Sequence, residues 1–494
     1  MAGILVLLFL LQSAGAFSEP ASPMTDKEVL AGAEARIEQY RKADASILVT
    51  DCEGRPVPGV RVKVEQTRHA FLFGCNAFLS GRLSDQGEEL AYRDRFGELM
   101  NYATLPFYWW SYEAEQGNPK REQILQTAAW CQEKGIRLKG HPLVWNYSEP
   151  KWLSDATGEV RSLQLNRITD CVSQYSGTID TWDVVNEATG FDTKDSIERA
   201  PKLTRVWKES GVVEFVRECF RLARNANPKA TLIINDNHAD ETYAALLDKL
   251  ADDRGNPLYD VIGIQSHMHT GVWAPSRIWK VLDRFGKFRR PIHFTETTIV
   301  SGALGWELTQ AYGSWPASST GEMYQARGAE MFYTLLFSHP SVEAITWWDF
   351  SDKDAWQGAP AGLVDRNQSA KPVYNRLKNL IKGKWWTRRI TRTGVDGVAR
   401  FRGFLGDYDI TVELENGIRT TTAMTLKKGG PNQMNLVVEV PPARHPQSKG
   451  YRSPIGFRAS LWPAWWDPWT AHGREPNWAD YRRGGGDRFE DSLK

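Results

Sequence analysis

Thr181-Trp-Asp-Val-Val-Asn-Glu187 is a short apolar run that closes on an amide and a glutamate. Its length and branched side chains predict a buried strand. An ionised carboxylate at the end of such a strand is costly unless it has partners. A second run, Pro291-Ile-His-Phe-Thr-Glu296, is built the same way. A residue in such a place serves chemistry or a buried ion pair, and the repetition of the pattern points to strands that end at one common face.

Working outward, β-rich runs fall at residues 70–78, 98–107, 137–145, 181–187, 231–238, 260–268, 291–297 and 343–350. Amphipathic stretches at 121–134, 212–226, 241–252 and 321–337 lie between them. Alternation on this scale, over about 310 residues, predicts an α/β chain folded as a (β/α)8 barrel. A doubly wound sheet would want a glycine-rich phosphate loop after a strand, and none is present. Nearly every run ends in polar residues: Asn76, His141, Asn186 with Glu187, Asn235 with Asp236, Gln265-Ser-His267, Glu296 and Asp349. In a barrel these ends converge on one bowl. Two glutamates there form the pair that cleaves a glycosidic bond, one as acid/base and one as nucleophile.

The flanks read differently. Val60-Arg-Val-Lys-Val-Glu65 alternates as a half-buried strand, and so does Asp407-Tyr-Asp-Ile-Thr-Val-Glu-Leu414. The two flanks are expected to pair into a small β-rich accessory region. The expected division is a signal peptide at 1–16, an N-terminal helix and β-rich flank at 17–69, the barrel at 70–385, the second flank at 386–440 and a tail at 441–494. The signal reading rests on the apolar run Ile4-Leu-Val-Leu-Leu-Phe-Leu-Leu11, too short to span a bilayer, followed by Ala14-Gly-Ala16. It predicts a secreted or periplasmic protein with no membrane association after cleavage. The tail, rich in Pro, Arg and Gly, carries Trp462, Trp465, Trp466, Trp469 and Trp478 and is expected to be disordered or loosely docked.

Among 494 residues, 61 Lys+Arg against 60 Asp+Glu leave a net charge of +1, which offers no footprint for nucleic acid or an anionic membrane. The 21 Trp are abundant flat surface for stacking on sugar rings. Five scattered cysteines form neither a disulfide framework nor a metal spacing. No cofactor and no metal are implied.

At the strand ends the chain resembles the family 10 glycoside hydrolases, best known as endo-β-1,4-xylanases. The resemblance is carried by Gly140-His-Pro-Leu-Val-Trp145, Trp182-Asp-Val-Val-Asn-Glu187, Gly263-Ile-Gln-Ser-His267, Thr295-Glu296, Ser351-Asp-Lys-Asp-Ala-Trp356 and Lys371-Pro-Val-Tyr374. It implies a retaining double displacement with Glu296 as nucleophile and Glu187 as acid/base, the carboxyls roughly 5–5.5 Å apart. It further implies Asn186 near the sugar 2-hydroxyl, His267 beside the nucleophile, and His141 and Gln265 as polar contacts. Trp145, Trp348 and Trp356 would line the substrate site. The partner it implies is a polysaccharide, xylan or a related β-glycan.

The chain departs from that pattern in three places. Where the family carries a Glu-Asn pair and a Lys before a Trp, this sequence has Thr104-Leu-Pro-Phe-Tyr-Trp-Trp110. Thr298 stands where an Asp follows the nucleophile, and Asn146 where a second His follows the Val-Trp pair. The departures spare the glutamates and alter what grips the sugar. Two alternatives to a xylan hydrolase stay open: a non-catalytic carbohydrate-binding barrel, and a transglycosylase using the same site. Keeping both glutamates with Asn186 and His267 speaks against a mere binder.

Overall fold

The computed structural model describes residues 24–305, 315–415 and 417–439. The signal-peptide reading at 1–16 and the tryptophan-rich tail at 441–494 lie outside them. In chain order the strands are β1 (Lys42–Thr50), β2 (Arg61–His69), β3 (Leu72–Asn76), β4 (Tyr102–Pro106), β5 (Arg137–His141), β6 (Thr181–Asn186), β7 (Thr231–Asp236), β8 (Val261–Met268), β9 (Ile292–Ile299) and β10 (Val342–Trp347), then β11 (Arg388–Arg392), β12 (Val398–Phe404), β13 (Gly406–Glu413), β14 (Arg419–Leu426) and β15 (Gln433–Val437). Strands β3 to β10 close into a barrel in sequence order, β10 returning to β3, with every pairing parallel. The (β/α)8 barrel expected from the sequence is therefore the fold.

The barrel strands are buried on both faces, which is why they read as apolar runs without alternation. Val184, Leu232, Ile234, Ile262, Ile264, Phe294 and Ile345 are all fully buried. Helices such as Arg121–Glu133, Val212–Ala226 and Ser319–Ser338 cover the outside. At Gly140 a β-carbon would lie 2.2 Å from the Trp182 ring, so the glycine before His141 is there to let that indole cross the strand.

Seven of the eight barrel strands are shorter than the expected runs, while β9 extends two residues past its run to Ile299. The run at 98–107 begins as helix, since Glu98 and Leu99 close the helix Gln86–Leu99. That helix buries only Tyr92, Phe96 and Leu99, a stripe one residue wide. Its polar remainder explains why its periodicity is faint in the sequence.

The flanks do combine. Strands β12, β1 and β15 make one sheet and β11, β2, β13 and β14 another. Ile47, Val49, Val62, Val64, Phe401, Tyr408, Ile410 and Val412 fill a core of their own between them. The unit is fixed to the amino-terminal edge of the barrel. Arg41, buried, donates to the carbonyls of Phe337, His339 and Val342. His69 sits edge-on among Phe73, Phe337, Trp386 and Phe404. The exposed positions of its four-stranded sheet include Arg61, Lys63, Asp409 and Thr421, a charged surface without a flat ring for a sugar. All five cysteines are free thiols, with Cys52 exposed and the others buried.

One buried ion pair holds the loop after β10. Lys371 Nζ reaches both carboxylate oxygens of Asp352 (3.1 and 3.0 Å) and Ser301 Oγ (2.9 Å). Burial pushes the Asp352 carboxyl up and the Lys371 ammonium down, each against the pull of its partner. Removing one member leaves the other stranded, which costs about 3–5 kcal/mol. Lys371→Ala is expected to lower the free energy of denaturant unfolding by about that amount. A loss below about 1 kcal/mol would show that the pair contributes no more than a surface salt bridge.

Candidate active site

The polar strand ends meet at the carboxyl-terminal face, and the backbone explains how neighbouring residues reach it together. Successive side chains of a strand point to opposite sides. Asn186 ends β6 normally, whereas Glu187 takes a left-handed conformation, φ 55° and ψ 44°. This conformation is unfavourable for a residue with a side chain, and it is held by the Glu187 N–H bonded to the Asn235 carbonyl at 2.8 Å. It swings the carboxylate back, so that Asn186 Nδ2 lies 3.4 Å from Glu187 Oε1.

Glu187 is half-buried. Its Oε1 accepts from Gln265 Nε2 (2.9 Å) and its Oε2 from Trp145 Nε1 (3.2 Å). Burial pushes its carboxyl up to about 8; the nearby charges of Glu296 and Asp236 add to the rise, and the Gln265 donor opposes it. Glu296, on β9 and 4% exposed, has a different setting. Its Oε1 accepts from Asn235 Nδ2 (2.8 Å), and its Oε2 lies 3.1 Å from His267 Nε2. His141 Nε2 stands 3.8 Å from Oε1. Burial alone would raise this carboxyl, but His141, His267 and Lys139 outweigh it and hold it below the ordinary glutamate value.

The two environments are joined by Asn235. Its amide donates to Glu296 Oε1 and to Asn186 Oδ1 (2.7 Å), while its Oδ1 accepts from Thr295 Oγ1 (2.5 Å). Gly263 on the next strand makes room for it: a β-carbon there would lie 2.6 Å from Asn235 Oδ1. Beneath Glu296, Asp183 Oδ2 bonds His141 Nδ1 (2.7 Å) and Lys139 Nζ (2.6 Å), all buried. The Asp183 carboxyl stays low because Lys139 and His141 override its burial. Asp183 thus fixes the His141 ring with Nε2 toward Glu296.

Asn186, Glu187, Trp145, His141, Gln265, His267 and Glu296, singled out from the sequence, are joined by these contacts at one end of the barrel. Trp348 is buried edge-on to His141 (5.3 Å) and His267 (5.9 Å). Trp356, 40% exposed, tilts against His267 at 4.6 Å. Thr298 bonds His267 Nδ1 through its hydroxyl at 2.8 Å, so a neutral partner occupies the place of the missing acid. Asn146 turns elsewhere, donating to the Phe191 carbonyl (2.5 Å) and Thr204 Oγ1 (2.9 Å). The sequence marks Asn235 only as a polar strand end and assigns no place in the site to Asp183 or Lys139. A lysine and an aspartate within otherwise apolar strands were the available signal.

The altered stretch at 104–110 does what its composition suggests. Thr104, Leu105 and Phe107 are buried, and Tyr108 and Trp110 stay half-exposed. Tyr108 stands edge-on to His141 at 5.5 Å and stacks on Trp110 at 4.9 Å. Trp110 in turn lies 6.0 Å from both Trp145 and Tyr147.

A closed parallel barrel with paired carboxylates and an aromatic wall at the carboxyl ends of its strands defines a (β/α)8 protein with its site at the expected face. The chain belongs to glycosyl hydrolase family 10, whose model matches residues 72–380. It is 26% identical over 422 residues to the anti-sigma-I factor RsgI6 of Acetivibrio thermocellus, covering 83% of this chain and 50% of that protein. It is 24% identical to endo-1,4-beta-xylanase 2 of Arabidopsis thaliana, covering 79% of this chain and 34% of that protein. It is 28% identical to endo-1,4-beta-xylanase 3 of Hypocrea jecorina, covering 56% and 73% respectively. The chain thus spans half or less of the first two of these relatives. Among solved structures it shares its fold with xylanase 10B of Thermotoga petrophila, a complex with xylobiose. The TM-score is 0.53 and the identity 24%, over 64% of this chain and 95% of that one.

Proposed function

We propose that this protein is a retaining β-glycoside hydrolase that cleaves a β-1,4-linked polysaccharide, with xylan as its first substrate. The carrying observation is the Glu187–Glu296 pair: two carboxylates in one hydrogen-bonded network, held in settings with opposite demands on the proton. In this reading Glu296, kept ionised, attacks the anomeric carbon. Glu187, kept protonated, donates to the leaving oxygen and then accepts the proton of the incoming water. Asn235 and His267 aim the nucleophile, and His141 is aimed by Asp183. Trp348 and Trp356 wall the sugar. Asn186 and Gln265 reach Glu187 and stand within reach of the reacting sugar's hydroxyls. Xylan is favoured because curated relatives and solved neighbours of the barrel carry the xylanase name. An extracellular polymer as substrate also suits the export signal read at 1–16.

The panel that tests this measures reducing ends released from xylan, arabinoxylan, mixed-linkage glucan and mannan, with Glu296→Gln as control. Release from xylan by the wild type alone supports the reading. Release from another glycan would keep the chemistry and move the specificity to Tyr108 and Trp110. Binding without release from any would replace hydrolysis by carbohydrate binding.

The proton settings predict the pH profile. Glu187 works as an acid below about 8 and loses its proton above it. Glu296 works as a nucleophile above its lowered value and is protonated only in acid. The rate constant kcat/KM is expected to fall on the alkaline side with an apparent pKa of about 8. On a substrate with an activated leaving group, Glu187→Gln should abolish that alkaline limb. An unchanged limb in the variant would assign the titration to another group.

A further inference from the structure

The aromatic wall does not end at Trp145. Tyr147 stacks on that indole at 4.5 Å with an angle of 14°, and Arg199 lies over Tyr147 with its guanidinium carbon 4.8 Å from the ring centre. Arg199 Nη1 donates to Tyr147 Oη at 2.6 Å. The line from Glu187 thus runs through Trp145, hydrogen-bonded to it, then Tyr147, and finishes in a positive charge.

An exposed arginine is by itself an ordinary solvated cation. Two features set this one apart. Its position is fixed by the ring beneath and by the hydroxyl, so little freedom remains to be lost on binding. It also lacks a carboxylate partner among the described residues; its neighbour Glu198 lies 3.8 Å from Lys194 instead. The remaining guanidinium N–H groups form the fork that matches a carboxylate.

We propose that Arg199, held on Tyr147, is a specificity subsite for a carboxylate-bearing sugar of the polysaccharide, a uronate carried on or within the β-glycan. The proposal rests on the hydrolase reading and names the substrate class: a stacked neutral backbone with an acidic substituent at the outer end of the aromatic wall. It also suits a wall that presents Tyr108 and Trp110 where the resembled family carries an acid, an amide and an amine. Backbone sugars are held by stacking, and the charged substituent supplies the selectivity that stacking lacks.

The test compares two polymers that differ only in the carboxylate: glucuronoxylan, and the same glucuronoxylan with its carboxyl groups reduced to hydroxymethyl. Affinities are measured by calorimetry at low salt on the Glu296→Gln protein, so that turnover does not interfere. The uronate polymer is expected to bind roughly threefold to tenfold more tightly, the range between an exposed pair and a well-aligned fork. The ratio should shrink with added salt. It should collapse to about one in Arg199→Ala, and Arg199→Lys, which keeps the charge without the fork, should fall between. Equal affinities, a difference that survives Arg199→Ala, or no binding of either polymer would overturn the subsite. The hydrolase reading fails separately, if the wild type releases no reducing ends from the carboxyl-reduced polymer.

Discussion

Glu296→Ala is expected to lower turnover by at least about ten-thousandfold, because the variant lacks the carboxylate that the proposed mechanism uses as nucleophile. Asn235 and His267, which both address the Glu296 carboxylate, would remain, with Glu187 still able to protonate a leaving group. Added azide should enter the space left by the carboxylate and restore part of the rate, giving a glycosyl azide of inverted configuration. Wild-type activity in this variant would end the assignment. An azide product of retained configuration would exchange the roles of the two glutamates.

Glu187→Ala should behave differently, and the difference separates an acid/base from a structural residue. Removing a general acid costs about a hundredfold to ten-thousandfold where the leaving group needs a proton. A dinitrophenyl leaving group needs none, so the first step should stay fast and the glycosyl-enzyme should accumulate as a burst. Azide would then attack that intermediate and give a product of retained configuration. A loss of equal size for good and poor leaving groups would point instead to collapse of the left-handed turn at Glu187 and the bonds from Trp145 and Gln265.

Much of this architecture was legible because burial writes itself into the chain. Parallel barrel strands, covered on both faces, read as apolar runs, and the polar residues that close them stood out against that background. The helix Gln86–Leu99 was faint because its buried stripe is so narrow. The end of the preceding helix was therefore merged with the strand at 102–106. The catalytic candidates were visible as polar strand ends, yet their connections were not. Asn235 lies 2.8 Å from Glu296 because Gly263 on the neighbouring strand leaves it room, a fact of register rather than of composition. Asp183 and Lys139 likewise gain meaning only when β5 and β6 lie side by side. The reach of the aromatic wall to Arg199 depends on a helix, Lys194–Arg199, far from Trp145 in sequence. Three dimensions, not residue types, decide that contact.

Double displacement requires a covalent bond between Glu296 and the sugar. The measurement that tests it most directly uses a dinitrophenyl 2-deoxy-2-fluoro-β-glycoside of the disaccharide unit that the glycan panel identifies, with mass spectrometry of the intact and digested protein. The fluorine slows release of the intermediate, so the expected result is one added glycosyl group per chain, on the peptide that contains Glu296. A label on any other residue, or no label while the enzyme releases the inverted anomer from its natural substrate, would contradict double displacement through Glu296.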